Sequence, residues 1–251
     1  MKRFRKAARR RLLAIVAGLA VGGLLAGCST AAPEPAASAS SSAGATAPQA
    51  TTTQAPTTPV PTAAESVPPS SAAPVTPAER RAALTPEAQM DLDQQLILAA
   101  KANDPARVAE LIAAGGDVNA RDPIQDSAFL YAGAEGFNEV LHLTIAAGAD
   151  VRSINRYGGT ALIPASEHGH VETVKILIAA GVPVDHVNNL GWTAMQEAIL
   201  LNNGGPNQQE TVRLLLEAGA NPGIRDPQGR TALDNAERLG FTEIAGLIRN
   251  R

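Results

Sequence analysis

The sequence predicts an all-α solenoid of stacked helix-turn-helix units, preceded by a signal peptide and a disordered linker. Three observations carry this. Ala-Gly pairs recur at Ala114-Gly115, Ala147-Gly148, Ala180-Gly181 and Ala218-Gly219, with glycine spacings of 33, 33 and 38 residues. Ser127-Ala128-Phe129, Thr160-Ala161-Leu162, Thr193-Ala194-Met195 and Thr231-Ala232-Leu233 repeat the same spacings, so one insertion of five residues explains both series. A fixed period of this size marks units that cannot bury their apolar faces alone and must stack. Within one unit, apolar residues at 171, 174, 177 and 178 share a helix face. Gly181 then supplies the positive φ that ends that helix.

The N-terminus is an address. Seven of the 21 basic residues lie in the first eleven positions, and Leu12 to Leu25 run apolar. A charged start, a short apolar stretch and small residues at its end describe a secretory signal over 1–27. A spanning helix needs ~20 apolar residues, and this stretch is shorter and rich in glycine. Leu25-Ala26-Gly27-Cys28 resembles the lipobox of bacterial lipoproteins. That resemblance implies cleavage before Cys28, which then carries thioether-linked diacylglycerol and further acyl chain; no other cofactor is expected. Each buried methylene contributes about 0.8 kcal/mol, so two or three chains anchor stably. The expected location is the extracytoplasmic face of the cell membrane, or an outer membrane where there are two.

Residues 28–79 form the predicted linker, rich in Ala, Pro, Ser and Thr. Ten prolines and only Glu34, Glu65 and Glu79 as charges leave no material for a core between Ser29 and Glu79. Fully extended, such a chain reaches roughly 150 Å, and as a coil it averages about 40 Å. Sugars on its Ser/Thr/Pro tracts are a sharper alternative to a plain spacer.

Residues 80–251 hold about five repeats, the first partial. Thr76-Pro77 and Thr85-Pro86 read as capped helix starts. The stretch 86–102 is the first helix, and Asp104-Pro105 restarts the chain for a partner that stops at Gly115-Gly116. Pro164 fits a helix that begins near Ala161, where its missing donor is among the first-turn orphans. The insertion falls in Asn202–Asn207, a turn-rich run that reads as a longer loop. Gly240 separates the last two helices, and Arg249, Asn250 and Arg251 give a polar finish.

Residues 156–188 carry the clearest motif: Gly159-Thr160-Ala161-Leu162, Ala165, Gly169-His170, Val174, Leu177 and Ala180-Gly181. This pattern resembles the ankyrin repeat over about 94–251. The motif's usual proline is Ala in four repeats, and its histidine is Leu130, Ile163, Gln196 and Asp234. The resemblance implies short β-hairpin loops between repeats, and binding through those fingertips and the adjoining first helices. Carried onto this chain, the partner-binding positions are Ile124, Gln125, Asp126, Tyr131, Arg156, Tyr157, His168, Leu190, Trp192, Glu197, Gln228 and Arg230. They hold the one Trp and both Tyr of the chain, residue types enriched at binding hot spots.

Charge narrows the function. From residue 28 on, 14 basic residues face 24 acidic ones, a net of −10. That argues against nucleic acid and for a basic protein partner. One cysteine makes neither an internal disulfide nor a cysteine-rich zinc site. His168-Gly169-His170 has no supporting His-Glu-x-x-His, and Asp91 and Asp93 face different ways on a helix. Gly133-Ala134-Glu135-Gly136 has no preceding strand and is not a phosphate loop. No catalytic or metal site is expected, and a hydrolytic or metal-dependent enzyme is disfavoured. The expected function is a membrane-tethered binding module, a monomer apart from a protein partner in the cell envelope. An inhibitor or immunity protein of an exported enzyme is the rival. Exported ankyrin proteins linked to catalase and stress protection suggest a further one.

Overall fold

Threonine-proline pairs open the helical part. The computed structural model describes residues 75–251. The predicted signal peptide at 1–27, Cys28 and nearly all of the linker at 28–79 lie outside the described residues. Thr76 Oγ1 accepts from Glu79 N while the Glu79 carboxylate accepts from Thr76 N, a reciprocal cap on α1 (Pro77–Ala82). Thr85 caps α2 (Pro86–Lys101) through Ala88 N, and Asp104 caps α3 (Pro105–Ala113) through Arg107 N. Helix α1 spans the expected domain start at residue 80 and closes the first repeat. Arg81 donates to Gly115 O at 3.0 Å and to Gly116 O at 2.9 Å. Gly115 has φ +107°, and a Cβ there would lie 2.9 Å from Arg81 N, so both backbone and space demand glycine.

Four more helix pairs follow: α4 (Ala128–Glu135) with α5 (Asn138–Ala146), α6 (Leu162–His168) with α7 (Val171–Ala179), α8 (Ala194–Leu200) with α9 (Pro206–Glu217), and α10 (Ala232–Leu239) with α11 (Thr242–Arg249). First helices stack on first helices and second on second, giving two layers. The core runs between them. Leu96, Phe129, Leu162 and Met195 enter it from the first helices, and Val108, Leu141, Leu177, Leu215 and Ile244 from the second. Each such side chain contributes about 1.5–3 kcal/mol by burial. On α7, Val174 and Leu177 are buried and Val171 and Ile178 flank them half-buried, as the helical spacing predicts. Gly133 lets α4 lie against the start of α6, since a Cβ there would lie 2.7 Å from the Cβ of Ala161, the residue before that helix.

The insertion is shared between a loop and a helix. Residues 201–205 form the loop, while Pro206 and Asn207, expected in it, are the first turn of α9. Proline at the first helical position loses no hydrogen bond, so the helix lengthens to 12 residues against nine in α5 and α7.

Pro164 is the third residue of α6 and leaves a trace. It has no N–H for Thr160 O, and Ile163 N takes that oxygen instead at 3.2 Å. Thr160 Oγ1 stays buried without a partner, whereas Ser127, Thr193 and Thr231 accept from the amides of Leu130, Gln196 and Asp234. Thr160→Val is therefore expected to be neutral or stabilising in urea unfolding. The same change at Thr193 is expected to cost about 1–2 kcal/mol, because it strips a working cap. Equal losses at both sites would contradict this account of the entry to α6.

The loops between repeats correct the expectation of β-hairpins. No strand forms among the described residues. Inside each finger a turn bond closes the tip (Gln125 N to Asp122 O and its equivalents), and one backbone bond spans its base: Asp122 N to Asp126 O, Asn155 N to Gly159 O, Asn188 N to Trp192 O, and Asp226 N to Arg230 O. The return bond goes to a side chain. Asp126 N, Gly159 N, Trp192 N and Arg230 N donate to the Oδ1 atoms of Asp122, Asn155, Asn188 and Asp226 at 2.9–3.1 Å. A side-chain oxygen thus stands where a ladder would use a carbonyl, so the fingers are Asx turns.

Candidate interaction surface

Each finger turns through a left-handed residue, which is glycine at Gly158, Gly191 and Gly229 and Gln125 at φ 67° in the first. A side chain held there is strained relative to glycine. The Asx turn fixes what the finger presents. In all four the residue before the Asx is exposed: Arg121, Ile154, Val187 and Arg225. The second residue after it is exposed in three, as Ile124, Leu190 and Gln228, whereas Tyr157 is half-buried. Ile124, Ile154, Val187 and Leu190 are 49%, 41%, 44% and 43% exposed, which makes the row of tips an apolar edge.

Behind the first two tips lies a charged cluster. Lys101 Nζ, from the end of α2, is 2.5 Å from Asp122 Oδ2 and 3.8 Å from Asp126 Oδ2. Arg156 Nη1 reaches Asp126 Oδ2 at 3.1 Å, and its guanidinium lies 4.7 Å from the centre of the Tyr157 ring. Lys101 also sits 5.2 Å from the centre of the Tyr131 ring. Burial would push Asp122 up, but the Lys101 bond and backbone amides hold it below its usual range. Burial wins at Asp126 and pushes it up, despite Arg156 and Lys101. At the last finger Arg230 pairs with Asp226 at 3.1 Å, and Asn235 Nδ2 donates to the same carboxylate.

The third finger is built differently. Asn188 Oδ1 accepts from Leu190 N and Trp192 N, and its Nδ2 donates to Glu197 Oε1 at 2.7 Å. Glu197 is 5% exposed. Burial, with the Glu167 carboxylate from α6 beside it, pushes Glu197 up to about 8 against the Asn188 bond. Glu167 is itself raised by burial, with His168 opposing. His170, which lies 5.4 Å from His168 ring to ring, is lowered by burial and by His168.

The predicted binding positions therefore separate. Ile124, Gln125, Arg156, His168, Leu190 and Gln228 are exposed, and Tyr131, Tyr157, Trp192 and Arg230 are half-buried. Two expectations are corrected: Asp126 and Glu197 are buried and serve the fold. Asp126 is held by Arg156 and Lys101, and Glu197 anchors a finger through Asn188. Trp192 Nε1 and the Tyr157 hydroxyl are buried as well, so both aromatics lend support more than contact. His168 Nδ1 lies 2.9 Å from Ala134 O and donates to it, since a carbonyl only accepts. The sequence reading missed Arg121, Ile154, Val187 and Arg225. Their signal was the Asp/Asn series at 122, 155, 188 and 226, spaced 33, 33 and 38 residues, with each of the four one residue before it.

Comparison with known proteins places this geometry in a class. A family model for ankyrin repeats (three copies) matches residues 96–186 and 129–226. The crystal structure of an ankyrin repeat domain from Acinetobacter baumannii AYE superposes with a TM-score of 0.61 at 57% identity, covering 62% of this chain and 79% of that one. Another ankyrin repeat protein of known crystal structure gives 0.59 at 42% identity, covering 61% and 78%. The putative ankyrin repeat protein YahD of Escherichia coli (strain K12) is 54% identical over 52 residues, which is 21% of this chain and 26% of YahD. The chain belongs to the ankyrin-repeat family. That fold is a non-catalytic scaffold. Among the described residues no group of three or more His, Cys, Asp or Glu is placed to hold a metal ion, and no helix is long and apolar enough to cross a membrane.

Proposed function

We propose that this protein is an exported, lipid-anchored ankyrin-repeat module that binds another protein in the bacterial cell envelope. The row of exposed apolar fingertips carries the reading. Four large aliphatic side chains stand out on a scaffold whose core is already filled, and three Asx turns hold them, Val187 and Leu190 sharing that of Asn188. Rigid tips lose little freedom on binding, which favours affinity. Ankyrin-repeat domains in general serve as protein-interaction modules, which supports the same assignment. The anchor rests on the lipobox-like Leu25-Ala26-Gly27-Cys28 after a short apolar run. Residues 28–79 then act as the spacer between membrane and repeats.

A photo-crosslinking residue at Leu190 in living cells tests the binding edge, with a control at Lys175, which is exposed on α7. One dominant protein adduct from position 190 and none from 175 is expected. Equal, diffuse adducts from both positions would overturn the edge as a binding site.

A further inference from the structure

The net charge of the chain points to a basic partner, but the fingers carry the opposite local charge. The tips hold three aspartates, Asp122, Asp126 and Asp226, all under 10% exposed. Three cations lie against them: Lys101 on Asp122, Arg156 on Asp126, and Arg230 on Asp226. This internal compensation leaves Arg121 and Arg225. Both are exposed, and both hold their guanidinium on backbone carbonyls only: Arg121 on Gln125 O and Ile154 O, Arg225 on Gly229 O. Neither forms an ion pair with a carboxylate among the described residues, although Arg225 stands near enough to Asp234, exposed in the first turn of α10, to add to the lowering of that carboxyl by Thr231. No exposed Asp or Glu occurs in the tips at 121–126, 154–159, 187–192 and 225–230. The acidic excess lies elsewhere, on residues such as Glu139, Glu217 and Glu243 of the second helices.

Arg121 and Arg225 stand on the first and last fingers, with Ile124, Ile154, Val187 and Leu190 between them. Three steps between stacked helices of 8–10 Å each put the two cations roughly 25–30 Å apart. An extended strand covers that in about eight or nine residues at ~3.3 Å each. Building on the proposed function, we infer that the finger edge binds an extended protein segment with an apolar centre and an acidic residue near each end. Complementary end charges set the register, and the apolar centre supplies the buried area. A membrane surface fits less well. Trp192 and Tyr157, the side chains suited to a headgroup layer, have their polar ends buried within the protein.

The test uses the full-length chain in cells, with the photo-crosslinker at Ile154. The adduct is digested and the attached peptide sequenced, in the wild-type background and with Arg121→Glu and Arg225→Glu together. The expected attached segment is apolar at its centre and net acidic. The double reversal is expected to lower the adduct yield at least tenfold, while Arg152→Glu, on the approach to the same finger, changes it less than twofold. A basic attached segment, or a yield unmoved by the double reversal, overturns the charge assignment while leaving the edge as a binding site. A phospholipid adduct, or a second copy of this chain, also overturns it. Loss of any dominant adduct at both Ile154 and Leu190 fails the underlying function instead. The reversed residues hydrogen-bond only backbone carbonyls, with Asp234 the one carboxylate that feels Arg225, and an unchanged urea midpoint shows that the double variant is folded.

Discussion

Raising the pH from 5 to 8 is expected to weaken the folded repeats, and Glu197→Gln is expected to abolish most of that loss. The unfolded Glu197 carboxyl titrates near its ordinary 4.5, while the folded one holds its proton up to about 8. Between those values the unfolded chain binds fewer protons than the folded one, so stability falls as pH rises and levels off above about 8. At 1.36 kcal/mol per unit, the shift corresponds to roughly 3–5 kcal/mol. Gln keeps an acceptor for Asn188 and cannot ionise, so the variant should be more stable than wild type at pH 8 and nearly equal to it at pH 4.5. His170 acts with the opposite sign, because burial lowers it and the unfolded chain gains protons first as pH falls. Subtracting the two urea-unfolding curves removes His170 and leaves Glu197 with its interaction with Glu167. A difference that is flat from pH 5 to 8 would refute the buried-acid assignment.

The second large effect belongs to Lys101. Its ammonium lies between Asp122 and Asp126, which are 7% and 8% exposed. Removing one partner of a buried charge cluster leaves the others uncompensated, at a cost of about 3–5 kcal/mol for a buried pair. Lys101 is partly open to solvent, so Lys101→Met is expected near the lower end of that range. The thermal midpoint should fall by roughly 6–12 °C for a domain of this size. Adding Asp126→Asn should recover part of the loss, because it removes the like charge beside Asp122, the carboxylate that has lost its cation. Strict additivity of the two substitutions would contradict the coupling.

Both effects come from residues whose roles the sequence disclosed unevenly. The repeat period, the helix starts at Thr76 and Thr85, and the glycine stops are local features, and they agree with the structure because local chemistry sets them. The fingers were harder. Recognising the repeat suggested hairpins, whereas the Asp or Asn at 122, 155, 188 and 226 substitutes a side-chain oxygen for the second backbone bond. Glu197 sits at a position that faces a partner by its place in the motif. Its retained proton depends on burial and on Glu167 in the preceding repeat, and its anchoring on Asn188, nine residues away, and no spacing rule carries that. Net charge is silent about the fingers for a similar reason. Compensation within the tips is a matter of three-dimensional pairing, and only the pairs show that Arg121 and Arg225 are left over.

The proposed assignment to the cell envelope rests on a lipid on Cys28, and its detection is the most direct measurement. Cells fed an alkyne analogue of palmitate would be fractionated and the chain captured, as wild type and as Cys28→Ser. Label on the wild type in the membrane fraction, with none on Cys28→Ser, is the predicted result. An unlabelled wild-type chain in the soluble fraction, or label that survives Cys28→Ser, would contradict the anchored module proposed for this protein.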